Sequence, residues 1–352
     1  MSAAPDLASR VVRWQKTHGR HDLPWQNTRD PYRVWLSEIM LQQTQVGTVL
    51  DYFERFLQRF PDVRTLAGAS LDEVLARWSG LGYYSRARHL HKCAQEVVAH
   101  HGGAFPPGAE LLQTLPGIGR STAAAIASFC FGERVAILDG NVKRVLTRVL
   151  GYDADLAVAA HERALWEQAT ALLPRRQLAE TMPRYTQGLM DLGATVCTTR
   201  RPACEACPLQ DPCVARQAGE PEKYPVKTRK LKRSAQSLWL LRANTAKAAG
   251  AAEASVWLEK RPTPGVWAGL YCLPVFESRA ALEACLPAKW RERLTDGAVF
   301  THVLTHKDLH LHPVTVQLPA RALAERPGAW FGADQWPQLG LPAPVRKLLN
   351  QG

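Results

Sequence analysis

The chain has 352 residues, more than one hydrophobic core usually holds, so we expect two domains. Its 44 Lys and Arg outnumber 32 Asp and Glu, which leaves a formal net charge of +12. Such an excess favours a polyanionic partner through steering and counterion release, although solubility alone would also explain it. The sequence contains no run of about 18 apolar residues and no apolar segment after its N-terminus. We therefore expect neither a membrane span nor a secretory signal.

The first 215 residues show the spacing of amphipathic helices. Apolar residues recur at intervals of three and four over 46–60, and Pro61 ends this helix. A second helix is predicted over 85–101, followed by a third over 121–131 that is rich in alanine and a fourth that begins near 141. The second helix is predicted to bury Leu90, Ala94 and Val97 and to expose Arg86, Arg88 and Lys92.

The composition changes near residue 217. Residues 217–235 contain two prolines and a run of Lys and Arg, which indicates a basic linker that either touches phosphates or is merely solvated. Short apolar runs at 237–241 and 255–258, separated by turn residues, then predict a smaller α+β domain. The expected division is 1–216, 217–235 and 236–352.

Four of the eight cysteines lie within 17 residues, with the spacing Cys-x6-Cys-x2-Cys-x5-Cys. Thiolates favour zinc or an iron–sulfur cluster over hard cations. Zinc sites more often have two Cys-x2-Cys pairs, whereas this segment has one, so the spacing favours iron–sulfur and leaves zinc open. The use of cysteines for a metal site also fits a reducing compartment. The candidate ligands are Cys197, Cys204, Cys207 and Cys213.

A short turn, Leu115-Pro-Gly-Ile-Gly-Arg120, is predicted between two helices. Gly117 and Gly119 permit a tight turn and a close backbone approach to a ligand. The helix that begins near Ser121 would present free N–H groups and its positive dipole end to an anion. Many helical turns need glycine for the turn alone, but this frame matches a helix–hairpin–helix element, which holds DNA phosphates without reading the base sequence.

Two carboxylates are candidates for acid–base chemistry. Asp139 precedes a predicted helix, where an aspartate is most often an N-cap. Glu38 lies in Trp-Leu-Ser-Glu-Ile-Met and borders an apolar face, where desolvation raises the pKa of a carboxyl and lets it act as an acid near neutral pH. A plain surface glutamate is the commoner alternative.

Five segments together resemble a known family. They are the run at 35–45, the run Gly-Leu-Gly-Tyr-Tyr-Ser-Arg at 80–86, the turn at 115–120, the run at 138–144 and the four cysteines. In this order they resemble the adenine DNA glycosylases of the MutY family, within the helix–hairpin–helix DNA glycosylase superfamily. The resemblance implies a mainly α N-terminal region with an iron–sulfur cluster loop holding one 4Fe-4S cluster, plus a smaller α+β Nudix-like C-terminal domain.

The resemblance also implies a reaction in base excision repair. The partner would be double-stranded DNA with an 8-oxoguanine:adenine or guanine:adenine mispair, and the adenine would be flipped out of the stack and hydrolysed from its sugar. Glu38 would protonate adenine N7, and Asp139 would stabilise the sugar cation that develops. We expect a monomer without membrane contact, acting on the nucleoid in the cytoplasm of a bacterial-type cell.

Further residues match family positions that contact DNA or its bases. Sister enzymes that also cut the strand carry a lysine where this chain has Ser121, so the resemblance implies base removal alone. A bifunctional pyrimidine glycosylase and abasic lyase, and a non-catalytic DNA-binding iron–sulfur protein, remain the alternatives. The candidate DNA-binding residues are Gln43, Thr44, Tyr83, Leu115, Gly117, Gly119, Ser121, Lys143, Thr305 and His306.

The C-terminal region is similar to Nudix hydrolases, most clearly over 261–274. It lacks the glutamate-rich metal box of a working hydrolase, so the implied role is recognition of 8-oxoguanine. Family members often carry Phe-Ser-His on the loop that reads this base, whereas this chain has Leu304-Thr305-His306. A hydroxyl and a histidine are kept, but the aromatic ring is replaced.

Overall fold

The computed structural model describes residues 7–228, 232–245 and 254–351. These residues form two compact units. The first combines the described residues before Ala69 with those from His89 to 228, and the second combines Ala69–Arg88 with the described residues from 232 onward. Over the described ranges, no helix has the length and apolar character needed to cross a membrane.

Helices make up most of the chain before the first strand. They include all four helices predicted from the apolar spacing, each within a residue of the expected limits. In chain order they are α1 (Leu7–His18), α2 (Pro31–Leu41), α3 (Val46–Arg59), α4 (Val63–Gly68), α5 (Leu71–Trp78), α6 (Ser85–His100), α7 (Ala109–Gln113), α8 (Arg120–Phe131), α9 (Gly140–Leu150), α10 (Ala159–Ala171), α11 (Leu178–Thr195) and α12 (Val214–Gln217).

The prediction that α6 exposes Arg86, Arg88 and Lys92 is wrong at Arg86. Leu90, Ala94 and Val97 are buried as expected, but Arg86 is only 8% exposed. Its guanidinium donates to the carbonyl oxygens of Leu81 and Gly82, at 3.2 and 3.3 Å. Burial lowers the pKa of Arg86 to about 10. A helical pattern cannot reveal this, because the carbonyl groups that satisfy Arg86 belong to the turn before the helix.

The core of the first unit depends on close helix packing. The alanines of α8 are buried, as are the apolar residues of α9 and α11. Where α11 meets α1, a Cβ added at Gly188 would lie 2.7 Å from Val11 Cγ1 and 3.2 Å from the Val11 carbonyl oxygen. The two helices therefore approach to a distance that only glycine allows at this position.

The second unit is built around a mixed eight-stranded sheet, which confirms the α+β prediction. The apolar runs predicted at 237–241 and 255–258 lie in its first two strands. The strands are β1 (Ser234–Asn244), β2 (Val256–Lys260), β3 (Tyr271–Cys272), β4 (Val275–Phe276), β5 (Thr295–Asp296), β6 (Phe300–Val303), β7 (Lys307–Gln317) and β8 (Gly328–Phe331), and the later helices are α13 (Arg279–Ala284), α14 (Ala288–Arg291) and α15 (Ala343–Asn350).

The sheet order is β3-β2-β1-β7-β5, with β4 paired to β1, β6 to β7 and β8 to β2. Strands β1 and β7 run parallel, from Ser234 opposite Lys307 to Asn244 opposite Gln317. This long pairing brings the loop before β7, with Thr305 and His306, beside the beginning of β1.

Residues 69–88 pack with the C-terminal part of the chain, which the sequence pattern did not indicate. Ser79 and Tyr84 both donate a hydroxyl hydrogen bond to the Leu341 carbonyl, at 2.9 and 3.0 Å. Arg88 donates to the Ala268 carbonyl at 2.8 Å. These bonds join residues 180 or more positions apart, which spacing along a helix cannot report. The domain limits 1–216, 217–235 and 236–352 stay a prediction.

The packing of α1 against α11 can be tested at Gly188. In Gly188→Ala the added methyl must displace Val11, and we expect a loss of about 1–3 kcal/mol in the free energy of unfolding, measured by urea denaturation. The control is Gly68→Ala, because a Cβ at Gly68 meets no atom within 4 Å. Equal stability of the two variants would contradict this account.

Candidate active site

Glu38 lies on α2, with its carboxyl toward a pocket. The helix begins at Asp30, whose side chain accepts a hydrogen bond from the Tyr32 N–H, and proline occupies its first turn. The neighbours Trp35 and Ile39 are buried, whereas Glu38 keeps part of its surface open to the pocket. The apolar face that the sequence indicated thus encloses this carboxyl.

The pocket beside Glu38 has a volume of about 340 Å³, within the range of about 300–1,000 Å³ typical of small-molecule sites. Residues 20–29 form one wall. This segment is anchored by the fully buried Asp191, which accepts hydrogen bonds from the Arg20 backbone N–H and Nε at 3.1 and 2.6 Å. Gln26 also lines the pocket, and its buried side-chain amide nitrogen and oxygen have no hydrogen-bond partner among the described residues.

The surroundings of Glu38 keep it protonated. Burial raises the pKa of this carboxyl to about 8, and the nearby carboxylate of Asp139 adds to the increase. Glu38 therefore holds a proton at neutral pH and is able to donate it into the pocket, as the sequence analysis expected of an acid on an apolar face.

Asp139 is the N-cap of α9, as the common role of such an aspartate suggests. Its Oδ1 accepts a hydrogen bond from the Val142 N–H at 2.7 Å, and Asn141 contributes further hydrogen bonds. Burial raises the pKa of Asp139, while these hydrogen bonds and the positive charge of Arg144 oppose the increase. Donors that favour the charged form surround Asp139, which suits it to face a developing cation.

The first turns of α9 are tied to the cysteine segment. Arg144 donates to the Asn141 side chain at 2.9 Å, to the Gly193 carbonyl at 2.6 Å and to the Cys197 carbonyl at 2.7 Å. One turn later, Arg148 is buried and donates to the Cys197 thiol sulfur at 3.3 Å. Spacing places both arginines on one helix face, but their partners are visible only in the structure.

The four candidate ligands Cys197, Cys204, Cys207 and Cys213 line a single pocket. Backbone N–H groups of Leu209, Ala215 and Arg216 donate to two of the sulfur atoms. Burial raises the pKa of the Cys207 thiol to about 12, and the other three sulfurs add to it. Within the described ranges, no three His, Cys, Asp or Glu side chains are grouped as ligands of one metal ion.

The predicted hairpin is present and leads into α8. Gly117 has a φ of +77°, and a Cβ there would lie 2.7 Å from His89 Cβ, so the turn requires glycine. Gly119 is exposed at the N-cap of α8. Leu115 is only 5% exposed, so any ligand contact of this residue would use its backbone.

A second pocket, of about 460 Å³, follows the hairpin. It brings together Gly119, Ser121 and Lys143, and Lys143 forms an ion pair there with Glu162 on α10. Glu162 and Gln26 belong to no recognisable sequence pattern, so neither was predicted as a site residue.

Gln43 and Thr44 directly follow α2. Gln43 is exposed and has a φ of +57°, in the left-handed region that non-glycine residues seldom adopt. Thr44 is partly buried, and its hydroxyl donates to the Gln42 carbonyl at 3.4 Å. The bend at Gln43 turns its side chain out to solvent.

In the second unit, two predicted base-binding residues are in contact. Tyr83 is 44% exposed with a φ of +48°, and its hydroxyl lies 2.9 Å from the Thr305 hydroxyl. His306 is exposed beside it. Tyr83 is therefore not a core residue.

Comparison with known proteins places this arrangement in a family. A curated adenine DNA glycosylase of Buchnera aphidicola subsp. Acyrthosiphon pisum is 36% identical over 345 residues, 97% of this chain and 95% of the relative. The chain belongs to the adenine DNA glycosylase family. The mouse adenine DNA glycosylase is 46% identical over 218 residues, 59% of this chain and 41% of that protein.

Two family models and a solved structure agree with this membership. Residues 36–170 match the HhH-GPD superfamily of base excision DNA repair proteins, and residues 248–351 match the NUDIX domain. A thermostable thymine-DNA glycosylase is 29% identical, with a TM-score of 0.53 over 60% of this chain and 95% of that chain. The predicted fold, helix–hairpin–helix followed by Nudix-like, is confirmed.

The raised pKa of Glu38 predicts a pH-dependent stability. The folded chain loses this proton near pH 8 and the unfolded chain near the ordinary value of 4.5, so stability falls as pH rises between them. Glu38→Gln removes this loss. We expect the variant to match the wild type near pH 4.5 and to exceed its unfolding free energy by roughly 2–4 kcal/mol above pH 8.

The measurement is urea denaturation at several pH values. Glu54→Gln, at an exposed position of α3, is the control and should show no such trend. A difference between Glu38→Gln and the wild type that does not change with pH would contradict the burial of Glu38.

Proposed function

We propose that the chain is a monofunctional adenine DNA glycosylase that acts on adenine opposite 8-oxoguanine or guanine. The observation that carries this proposal is the protonated Glu38 carboxyl at a base-sized pocket, electrostatically coupled to Asp139. The names of the curated relatives support the same activity.

In this mechanism the flipped adenine enters the pocket beside Glu38. The unpartnered amide of Gln26 offers one donor and one acceptor to the edge of the base. Glu38 donates its proton to N7, which makes adenine a better leaving group. Asp139, held by hydrogen bonds from the first turn of α9, would stabilise the positive charge that develops on the sugar.

The surrounding residues would hold the DNA. The hairpin residues Gly117 and Gly119 and the N-terminus of α8 suit a backbone phosphate. Tyr83 and Thr305, joined by their hydroxyl groups, would face the base opposite adenine, with His306 beside them. The candidates that complete this surface are Gln43, Thr44, Leu115, Ser121 and Lys143. A monomer acting in the cytoplasm on the nucleoid fits this role.

The cysteine pocket fits one 4Fe-4S cluster. Four thiols line it, and a 4Fe-4S cluster is held by four cysteine thiolates. Backbone N–H groups and Arg148 point at the sulfur atoms and would stabilise the thiolates. A bound cluster would supply four strong iron–sulfur bonds that cross-link residues 197–213. Proton donation by Glu38 and charge stabilisation by Asp139 require no electron from the cluster.

The activity is tested by base excision. A labelled duplex with adenine opposite 8-oxoguanine or guanine should become sensitive to alkali after incubation with the protein. A duplex with adenine opposite thymine should not become sensitive. Glu38→Gln should bind the same duplex but excise about 10²–10⁴-fold more slowly, because it cannot donate a proton. In the wild type the single-turnover rate should decrease as pH rises through about 8.

Absence of an alkali-dependent product at these mispairs would refute the proposal. A strand break without alkali, as efficient as that of a true lyase, would instead support the bifunctional alternative. Excision that survives loss of both Glu38 and Asp139 would favour a different catalytic site.

The cluster is tested by Cys204→Ser. We expect this variant to lose iron and to have lower folding stability or lower affinity for DNA. The reason is that the segment that packs on α9 through Arg144 and Arg148 is no longer cross-linked. Iron content and thermal unfolding are the measurements. Cys285→Ser, in the second unit, is the matched control and should keep its iron. Zinc instead of iron in the purified wild type would contradict the 4Fe-4S assignment.

A further inference from the structure

Lys143 and Glu162 form an ion pair. The pair includes neither Glu38, the proposed acid, nor Asp139, the proposed stabiliser of the sugar cation. Lys143 lies in the first turns of α9, four residues after Asp139, and Glu162 lies in the first turn of α10. Their side chains are 28% and 37% exposed, and they meet at the pocket that also contains Ser121. The pair is thus near the reaction centre and still reachable from solvent.

The product of the proposed reaction is able to react with an amine at this position. Removal of adenine leaves an abasic sugar, whose ring-opened form carries an aldehyde at C1′. A neutral amine that attacks C1′ expels water and forms a Schiff base. Loss of a C2′ proton then breaks the C3′–O bond, and the 3′ phosphate leaves, so the strand is cut. Hydrolysis of the Schiff base returns the amine.

Lys143 is the residue with an amine among those that line this pocket. Arg120 and Arg163 carry guanidinium groups, which stay protonated and do not form Schiff bases. The side chain of Arg120 is also engaged on the Trp166 ring, 3.9 Å from its centre. Ser121 has a hydroxyl group and no amine. Any Schiff base at this pocket would therefore have to use Lys143.

We propose that Glu162 is a positioning residue that keeps the chain monofunctional by holding the Lys143 amine away from the abasic aldehyde. The proposal rests on the proposed function for the identity of the product. The ion pair keeps the Lys143 ammonium at the Glu162 carboxylate, and an ammonium held there has no lone pair for attack. Glu162 thus opposes Schiff-base formation through the position in which it holds the Lys143 side chain.

Loss of this carboxylate would change the surroundings of Lys143. Glu162 is the acidic residue among the described residues that line the pocket, where Arg120 and Arg163 are the other charged groups. Asp139, one turn earlier on α9, is occupied by hydrogen bonds from the helix N-terminus. In Glu162→Gln, Lys143 faces two cations and loses its ion pair, so its amine is released toward the open pocket.

The test is trapping of a covalent complex with borohydride, which reduces the Schiff base to a stable amine. The substrate is a duplex whose abasic site is made beforehand by removing uracil. We expect Glu162→Gln to increase the trapped fraction about fivefold over the wild type, equivalent to about 1 kcal/mol. In the double variant that carries both Glu162→Gln and Lys143→Ala, this increase should disappear.

The matched control is Glu167→Gln, which removes the same charge from an exposed position on the same helix. It should trap no more than the wild type. Glu162→Asp keeps the charge but withdraws it by one methylene, and its trapping should lie between the wild type and Glu162→Gln. This second variant keeps the test decisive if Glu162→Gln does not fold.

Three outcomes would overturn the proposal: no increase in Glu162→Gln or Glu162→Asp, an equal increase in Glu167→Gln, or an increase that survives Lys143→Ala. Because the abasic site is preformed, these results do not depend on adenine excision. Excision is measured separately on the 8-oxoguanine:adenine duplex, so a failure of the proposed function would be distinguished from a failure of this one.

Discussion

Burial of Glu38 within electrostatic range of Asp139 is the constraint on which the remaining site depends. Two carboxyl groups in such surroundings do not both ionise easily, and the pKa of Glu38 rises to about 8. Asp139 has hydrogen bonds from the first turn of α9, whereas Glu38 faces a pocket with an unpaired amide. The different surroundings separate the two roles, one carboxyl keeping its proton and the other suited to negative charge.

Helix α9 connects this chemistry to two other features. Its N-terminus holds Asp139, and its next turns carry Arg144 and Arg148 on one face and Lys143 on another. Arg144 and Arg148 contact the cysteine segment, while Lys143 is paired with Glu162. A single helix thus fixes the position of Asp139 relative to the cysteines and to the Lys143 amine in the neighbouring pocket.

The second unit brings together segments that are distant in the sequence. Residues 69–88 join the sheet-containing part of the chain through hydrogen bonds to Leu341 and Ala268. This packing places Tyr83 against Thr305, although they are 222 residues apart in sequence. Thr305 supplies the hydroxyl group of the Leu304-Thr305-His306 loop that contacts Tyr83.

The sequence by itself determined four of the helices, the hairpin glycines, the cysteine spacing and the candidacy of Glu38, because these depend on local periodicity, turn geometry and residue chemistry. It was wrong about Arg86, whose carbonyl partners lie in a turn, and it did not reveal Gln26 or Glu162. Only the tertiary structure decided which groups meet. Desolvation, ion pairing and unsatisfied hydrogen bonds arise between segments that are distant in the chain, where spacing carries no information.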